Sequence, residues 1–177
     1  MKILTLSGSL RKGSYNTTLC RAVAELAPEG VEVVHHDLRP IPFYDEDLER
    51  PDTVQALIDA VEAADGVVIA TPEYTYSIPG VLKNALDWAS RPGYNGCFKH
   101  KPVAMISASP SGIGGARAQQ TLRNILGAHL AHVFPFPEFT VMAAHEKIDD
   151  GKLTDADSRD RLAELLEGFV AFTRQLG

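Results

Sequence analysis

The sequence predicts an α/β fold in three layers: a parallel sheet of five strands with helices packed on both faces. Three observations lead there. Short apolar runs recur at residues 2–7, 31–36, 67–71 and 103–107, the second and third rich in β-branched residues. The stretches between them carry apolar residues at helical spacing. The two kinds of segment alternate, so each strand-to-strand crossover has to pack its helix back onto the sheet with right-handed sense.

Taken in order, Lys2 to Ser7 runs straight into Gly8 and reads as a buried strand, with Asn16 to Leu26 as the helix that follows. Val31 to His36 reads as a second buried strand. Thr53 to Ala64 is the second helix, led by Pro51 and Asp52, with Gln55 three residues after the aspartate in the spacing of a capping box. Val67 to Thr71 and Val81 to Ala89 make the third pair, and Val103 to Ser107 and Gly115 to Leu126 the fourth. Val133 to Phe134, together with Phe139 to Met142, supplies the fifth strand, and Ser158 to Leu176 the closing helix. Five strands so connected give the flavodoxin-like order 2-1-3-4-5, in one domain spanning residues 1–177. In such a sheet, ligands sit beyond the carboxyl ends of the strands where the strand order reverses, so the loops after strands one, three and four matter most. The proline-rich segment 39–44 and the acidic stretch 45–52 read as a long ordered loop that covers a site or an interface.

Composition narrows the partners. A hydrophobic content of 45% supports a core without staples. A net charge of -6 argues against nucleic acid or an anionic membrane as partner, since both need clustered Lys and Arg. No apolar stretch approaches the ~20 residues of a membrane span, and the opening residues lack the layout of a signal peptide, so the expectation is a cytoplasmic protein. The two cysteines, Cys20 and Cys97, form neither a redox pair nor a zinc pattern. His129 and His132 are spaced three apart, but no third ligand is spaced to complete a metal site, and no metal is expected.

The loop after the first strand, Gly8 to Thr17, suits a phosphate. Two glycines let backbone N–H groups approach closely, and the helix start adds partial positive charge. Ser9, Ser14, Asn16 and Thr17 offer side-chain donors, while Arg11 adds a full charge. Ser14-Tyr15 stands where a Walker A loop needs Lys and Ser or Thr, and no G-x-G-x-x-G is present. An ordinary strand-to-helix turn capped by Ser14 or Asn16 is the competing reading. The third loop, Thr71 to Gly80, has prolines near both ends and Tyr74 and Tyr76 between; stiff and aromatic, it can flank a planar ring of isoalloxazine shape. Glu73 reads equally as a solvated charge or a proton-handling group. The fourth loop, Ser107 to Arg117, is small and glycine-rich, so its backbone can approach a ligand closely; a flexible turn capped by Ser109 or Ser111 is the alternative.

Residues 8–16 (GSLRKGSYN), 72–80 (PEYTYSIPG) and 82–88 (LKNALDW) together resemble the NADPH-dependent FMN reductase family, with its chromate and quinone reductases. The likeness extends through Gly114 to Gln119 and on to Pro137-Glu138-Phe139, and weakens over the last forty residues. It implies bound FMN, NADPH or NADH as co-substrate, a quinone or other small acceptor, and a homodimer or homotetramer with the flavin near a subunit boundary. Ser9, Arg11, Ser14, Asn16 and Thr17 would hold the phosphate, with Tyr15 among the cofactor-binding residues. Pro72, Glu73, Tyr74 and Thr75 would line the isoalloxazine, and Ser107, Ser109 and Gly112 would meet its pyrimidine end. Thr75 departs from the family, which usually has Asn there. No catalytic side chain is implied, because the flavin carries the chemistry. The alternative from another class is a flavodoxin-like electron carrier that binds FMN without oxidising NAD(P)H.

Overall fold

Burial on both faces explains the central strands. In the computed structural model, which describes residues 1–177, β3 (Gly66–Ala70) and β4 (Pro102–Ala108) are buried at every residue. Beside them β1 (Lys2–Ser7) is half-buried only at Lys2, while β2 (Glu32–His36), expected to be buried, forms one edge with no fully buried residue. All pairings in this sheet are parallel, in the order β2-β1-β3-β4-β5, with Ile3 opposite Gly66 and Val67 opposite Val103. The order is the flavodoxin-like one that the alternation predicts.

Period-two alternation sorts the strand residues into two cores. Leu4, Leu6, Val67, Ile69, Val103 and Met105 face α2 (Asp52–Glu62), α3 (Gly80–Ala89) and α4 (Ala116–Ala128). Ile3, Val68, Ala70, Ala104 and Ile106 face α1 (Tyr15–Leu26) and α6 (Ala156–Leu176). Each helix turns one apolar stripe to the sheet, which is why sequence spacing alone locates it.

The fifth strand is broken. β5 (His132–Val133) pairs with the start of β4 and β6 (Phe139–Val141) with its end. Pro135 and Pro137 lie between them, and proline has no N–H to give to a ladder. A short helix α5 (Ala144–Lys147) and a hairpin of β7 (Ile148–Asp149) with β8 (Lys152–Leu153) follow, none of which the sequence pattern announces.

Two helix starts differ from expectation. Pro51 occupies the cap position of α2 with no side-chain cap bond, and Gln55 Nε2 reaches forward to Asp59 at 2.7 Å, so no capping box forms. Helix α6 begins two residues early because Asp155 caps it, its carboxylate accepting from the Ser158 N–H at 2.9 Å. The proline-rich segment is tied to α3: Asn84 Nδ2 and Trp88 Nε1 both donate to the Pro42 carbonyl, at 2.8 and 2.9 Å. Trp88 is thus core and anchor at once, while Phe43 beside it stands 88% exposed. No helix is long and apolar enough to cross a membrane.

Candidate functional site

The carboxyl ends of β1, β3 and β4 meet at one cleft of about 360 Å³, walled by the three loops that follow them. Loop one turns into α1 through Ser14, whose hydroxyl caps the helix by accepting from the Thr17 N–H at 3.2 Å. The N–H groups of Leu10 to Gly13, and of Tyr15 and Asn16 in the first turn of α1, donate to no protein acceptor. Such a ring of free donors at a helix start is an anion cradle. Arg11 leans over it, its guanidinium 5.1 Å from the Tyr15 ring centroid and donating to the Gly13 carbonyl at 2.5 Å.

Asn16 plays a different part from the one expected. Its side chain is 2% exposed and makes a two-bond bridge, Nδ2 donating to the Ala108 carbonyl and Oδ1 accepting from the Ala108 N–H, both at 3.0 Å. The β3–β4 ladder ends at Ala70 opposite Ile106, so the Ala108 peptide has lost its strand on that side. The amide of Asn16 takes the strand's place and locks loop one to loop four. What Asn16 can offer a phosphate is its backbone N–H.

Loop three contains a two-residue hairpin turn. Tyr74 and Ser77 exchange both backbone bonds at 3.0 Å, and the central residues Thr75 and Tyr76 have φ of 52° and 63°. This is a type I′ turn, which favours Asn-Gly; a β-branched threonine there is strained. A clamp holds it: the Arg117 guanidinium lies 4.0 Å from the Tyr76 ring centroid and pairs with Glu73 at 2.5 Å. The Glu73 side chain is only 9% exposed, and its second oxygen, Oε2, has no partner beside the cleft it lines. Asn tolerates positive φ far better than Thr, so Thr75→Asn should relieve part of a strain of about 1–3 kcal/mol. A rise of roughly 1–4 °C in the thermal midpoint is expected by scanning calorimetry. An unchanged or lower midpoint would show that the turn is not strained.

Loop four approaches through glycine. Gly115 has φ of 94°, and a Cβ there would lie 2.9 Å from that of Ser107. Ser107 itself is wholly buried, its hydroxyl accepting from Gln119 Nε2 at 2.8 Å, and the same Nε2 donates to the Phe139 carbonyl.

Of the residues expected to bind a cofactor, Ser9, Arg11, Ser14, Tyr15, Asn16, Pro72, Glu73, Tyr74 and Ser109 line the cleft together. Four do not. Thr17 turns its hydroxyl inward to Ser7 at 2.9 Å, Ser107 is sealed beneath Gly115, and Thr75 and Gly112 lie outside on exposed turns. Sequence reasoning also left the Glu73–Arg117 pair and the Gln119 bridge unplaced. The arginine follows a glycine pair at a helix start, a visible position, but its partner is 44 residues away.

Elsewhere, burial pushes both thiols up to about 12, so Cys20 and Cys97 remain protonated and unreactive at neutral pH. His129 sits edge-on to Phe98 and His132 stacks on His100, so the two histidines do not share a helix face. A larger hollow of about 570 Å³ opens at the other end of the sheet, around Asp65, Lys99 and Arg174. Lys101 at its wall is bound to the Ala64 carbonyl at 2.5 Å, and none of the three loops reaches it. The chemistry-bearing groups converge on the smaller cleft.

Comparison with known proteins points the same way. The profile of a family described as NADPH-dependent FMN reductase matches residues 1–146. The chain is 39% identical to an NAD(P)H-dependent FMN reductase of Pseudomonas aeruginosa, over 99% of this chain and 97% of that protein. It is 41% identical to a quinone reductase of Escherichia coli K12, with the same two coverages of 99% and 97%. Among solved structures, a flavoenzyme NAD(P)H:(acceptor) oxidoreductase from Paracoccus denitrificans superimposes with a TM-score of 0.90 at 35% identity, covering 99% of this chain and 98% of that one.

Proposed function

The chain belongs to the NADPH-dependent FMN reductase family, and from that premise we propose that it holds FMN in the three-loop cleft and reduces a quinone-type acceptor with NAD(P)H. The observation that carries the reading is the set of unpartnered N–H groups at the start of α1, opening into the same cleft as the aromatic turn of loop three.

FMN, when bound, supplies the redox chemistry, accepting hydride from the dinucleotide and passing two electrons on. The protein binds and orients. The loop-one N–H groups, the start of α1 and Arg11 would hold the phosphate dianion. Pro72, Glu73 and Tyr74 on one wall, and Ser109 on the other, would flank the ring. The N–H group of Glu73 has no protein acceptor and would meet its polar edge, where it favours negative charge. The clamp from Arg117 keeps that wall in place. No side chain has to move a proton.

Residues 1–177 would form one FMN-binding domain. We assign the protein to the cytoplasm, where NAD(P)H is supplied and two unpaired cysteines stay reduced. Phe43, Tyr74 and Tyr76, which are 88%, 54% and 69% exposed, favour a homodimer or homotetramer that covers them.

One preparation tests the whole reading. Purified protein should show a flavin spectrum, bleach on NADPH addition under argon, and recover its colour with quinone in ping-pong kinetics. Light scattering should give a dimer or tetramer mass. A flavin that NAD(P)H leaves oxidised would support the electron-carrier reading instead, and a monomer mass would refute the assembly.

A further inference from the structure

On the other side of loop one from the FMN cleft, two adjoining hollows run between α1 and the edge strand β2. The outer one, about 240 Å³, gathers Arg11, Lys12, Arg21 and Arg39 around a single carboxylate, Asp37. Four cations against one anion is a sharp local excess in a chain whose net charge is -6. Asp37 is already neutralised by Arg39 at 2.6 Å, and Arg39 also donates to the Leu10 carbonyl, so that pair braces the loop. Lys12 and Arg21 are both exposed, and neither enters any of the ion pairs of the chain.

The inner hollow, about 250 Å³, is of opposite character. Its apolar walls are Cys20, Ala24 and Val33, and it shares Thr17, Arg21 and His35 with the outer one. Desolvation lowers the pKa of His35, and its Nδ1 is held by the Thr5 hydroxyl at 3.0 Å, so a neutral ring stands at the junction. A cationic mouth over an apolar, ring-sided floor matches a heteroaromatic base that carries a phosphate. The outer hollow also shares Ser9 and Arg11 with the FMN cleft, so only the ridge of loop one separates them.

We propose that this groove binds the adenosine 2′-phosphate end of NADPH, the purine against Val33 and His35 and the 2′-phosphate between Lys12 and Arg21. The pyrophosphate of the dinucleotide crosses the loop-one ridge, and the nicotinamide reaches the cleft beyond. Lys12 and Arg21 then discriminate NADPH from NADH, which differs only by that phosphate. The assignment rests on the reading that the protein oxidises NAD(P)H.

The test uses FMN-loaded protein and calorimetric titration with adenosine 2′,5′-bisphosphate, adenosine 5′-monophosphate and inorganic phosphate. The bisphosphate should bind most tightly. Arg21→Glu should weaken it by about tenfold to a hundredfold, the range for losing a hydrogen bond to a charged group. In steady state the same variant should raise KM for NADPH by a similar factor, with KM for NADH and kcat unchanged. Lys12→Ala, further from the helix packing, should act in the same direction. Inorganic phosphate binding as tightly as the bisphosphate would overturn the assignment, because the apolar hollow would then contribute nothing. So would an equal rise in KM for both dinucleotides. Should neither dinucleotide reduce the flavin, the functional reading fails, and bisphosphate titration still decides whether the groove binds a phosphorylated adenosine.

Discussion

Asn16→Leu should destabilise the protein by about 2–4 kcal/mol and lower the thermal midpoint of the apoprotein by roughly 5–15 °C. Leucine is close to asparagine in size but removes both bonds to Ala108, which is 1% exposed. Its N–H and C=O would then be buried without partners, at about 1–3 kcal/mol for each group left unsatisfied. Asn16→Asp separates the two bonds. The carboxylate still accepts from the Ala108 N–H but meets the Ala108 carbonyl oxygen with no donor, so this near-isosteric change should lose about as much as leucine. A midpoint within about 2 °C of the parent in both variants would show that the bridge does not support the fold.

Arg11→Ala should act on the cofactor instead. Its guanidinium is exposed over loop one, so the fold should keep its midpoint. A hydrogen bond to a charged group contributes about 1.5–3 kcal/mol, which puts the fall in FMN affinity at about tenfold to somewhat over a hundredfold. Riboflavin, which lacks the phosphate, should bind almost unchanged, and turnover at saturating FMN should stay within a few fold of the parent. Collapse of turnover with FMN affinity intact would mean that Arg11 contacts the dinucleotide or the acceptor, and the phosphate assignment would be wrong.

The layers, the strand order and the three loops are legible in the sequence because each follows from local patterning: buried β-branched runs, helical spacing, and glycine or proline at the turns. Where the reading erred, a distant partner decided the outcome. Asn16 looks like a phosphate donor until Ala108, 92 residues away, is seen to need a substitute strand. Ser107 looks like a contact for the ring's pyrimidine end, yet Gln119 and Gly115 enclose it. The strained pair Thr75-Tyr76 carries no turn signature, since neither residue favours positive φ; Arg117, stacked on Tyr76, helps to hold that conformation. Local propensity ranks what a segment prefers on its own, and these residues adopt what their neighbours impose.

The broken fifth strand bears on how copies of the chain can meet. An intact edge strand is a template on which another chain can add a strand, and parallel sheets leave two such edges open. Here one edge is reduced to pieces of two and three residues with Phe134-Pro135-Phe136-Pro137-Glu138 between them. Neither piece is long enough to nucleate a ladder, and the prolines interrupt any attempt to extend one into the other. Contacts on that flank are therefore restricted to side chains, and a crowded or partly unfolded population is protected there against growing outward as a continuous sheet.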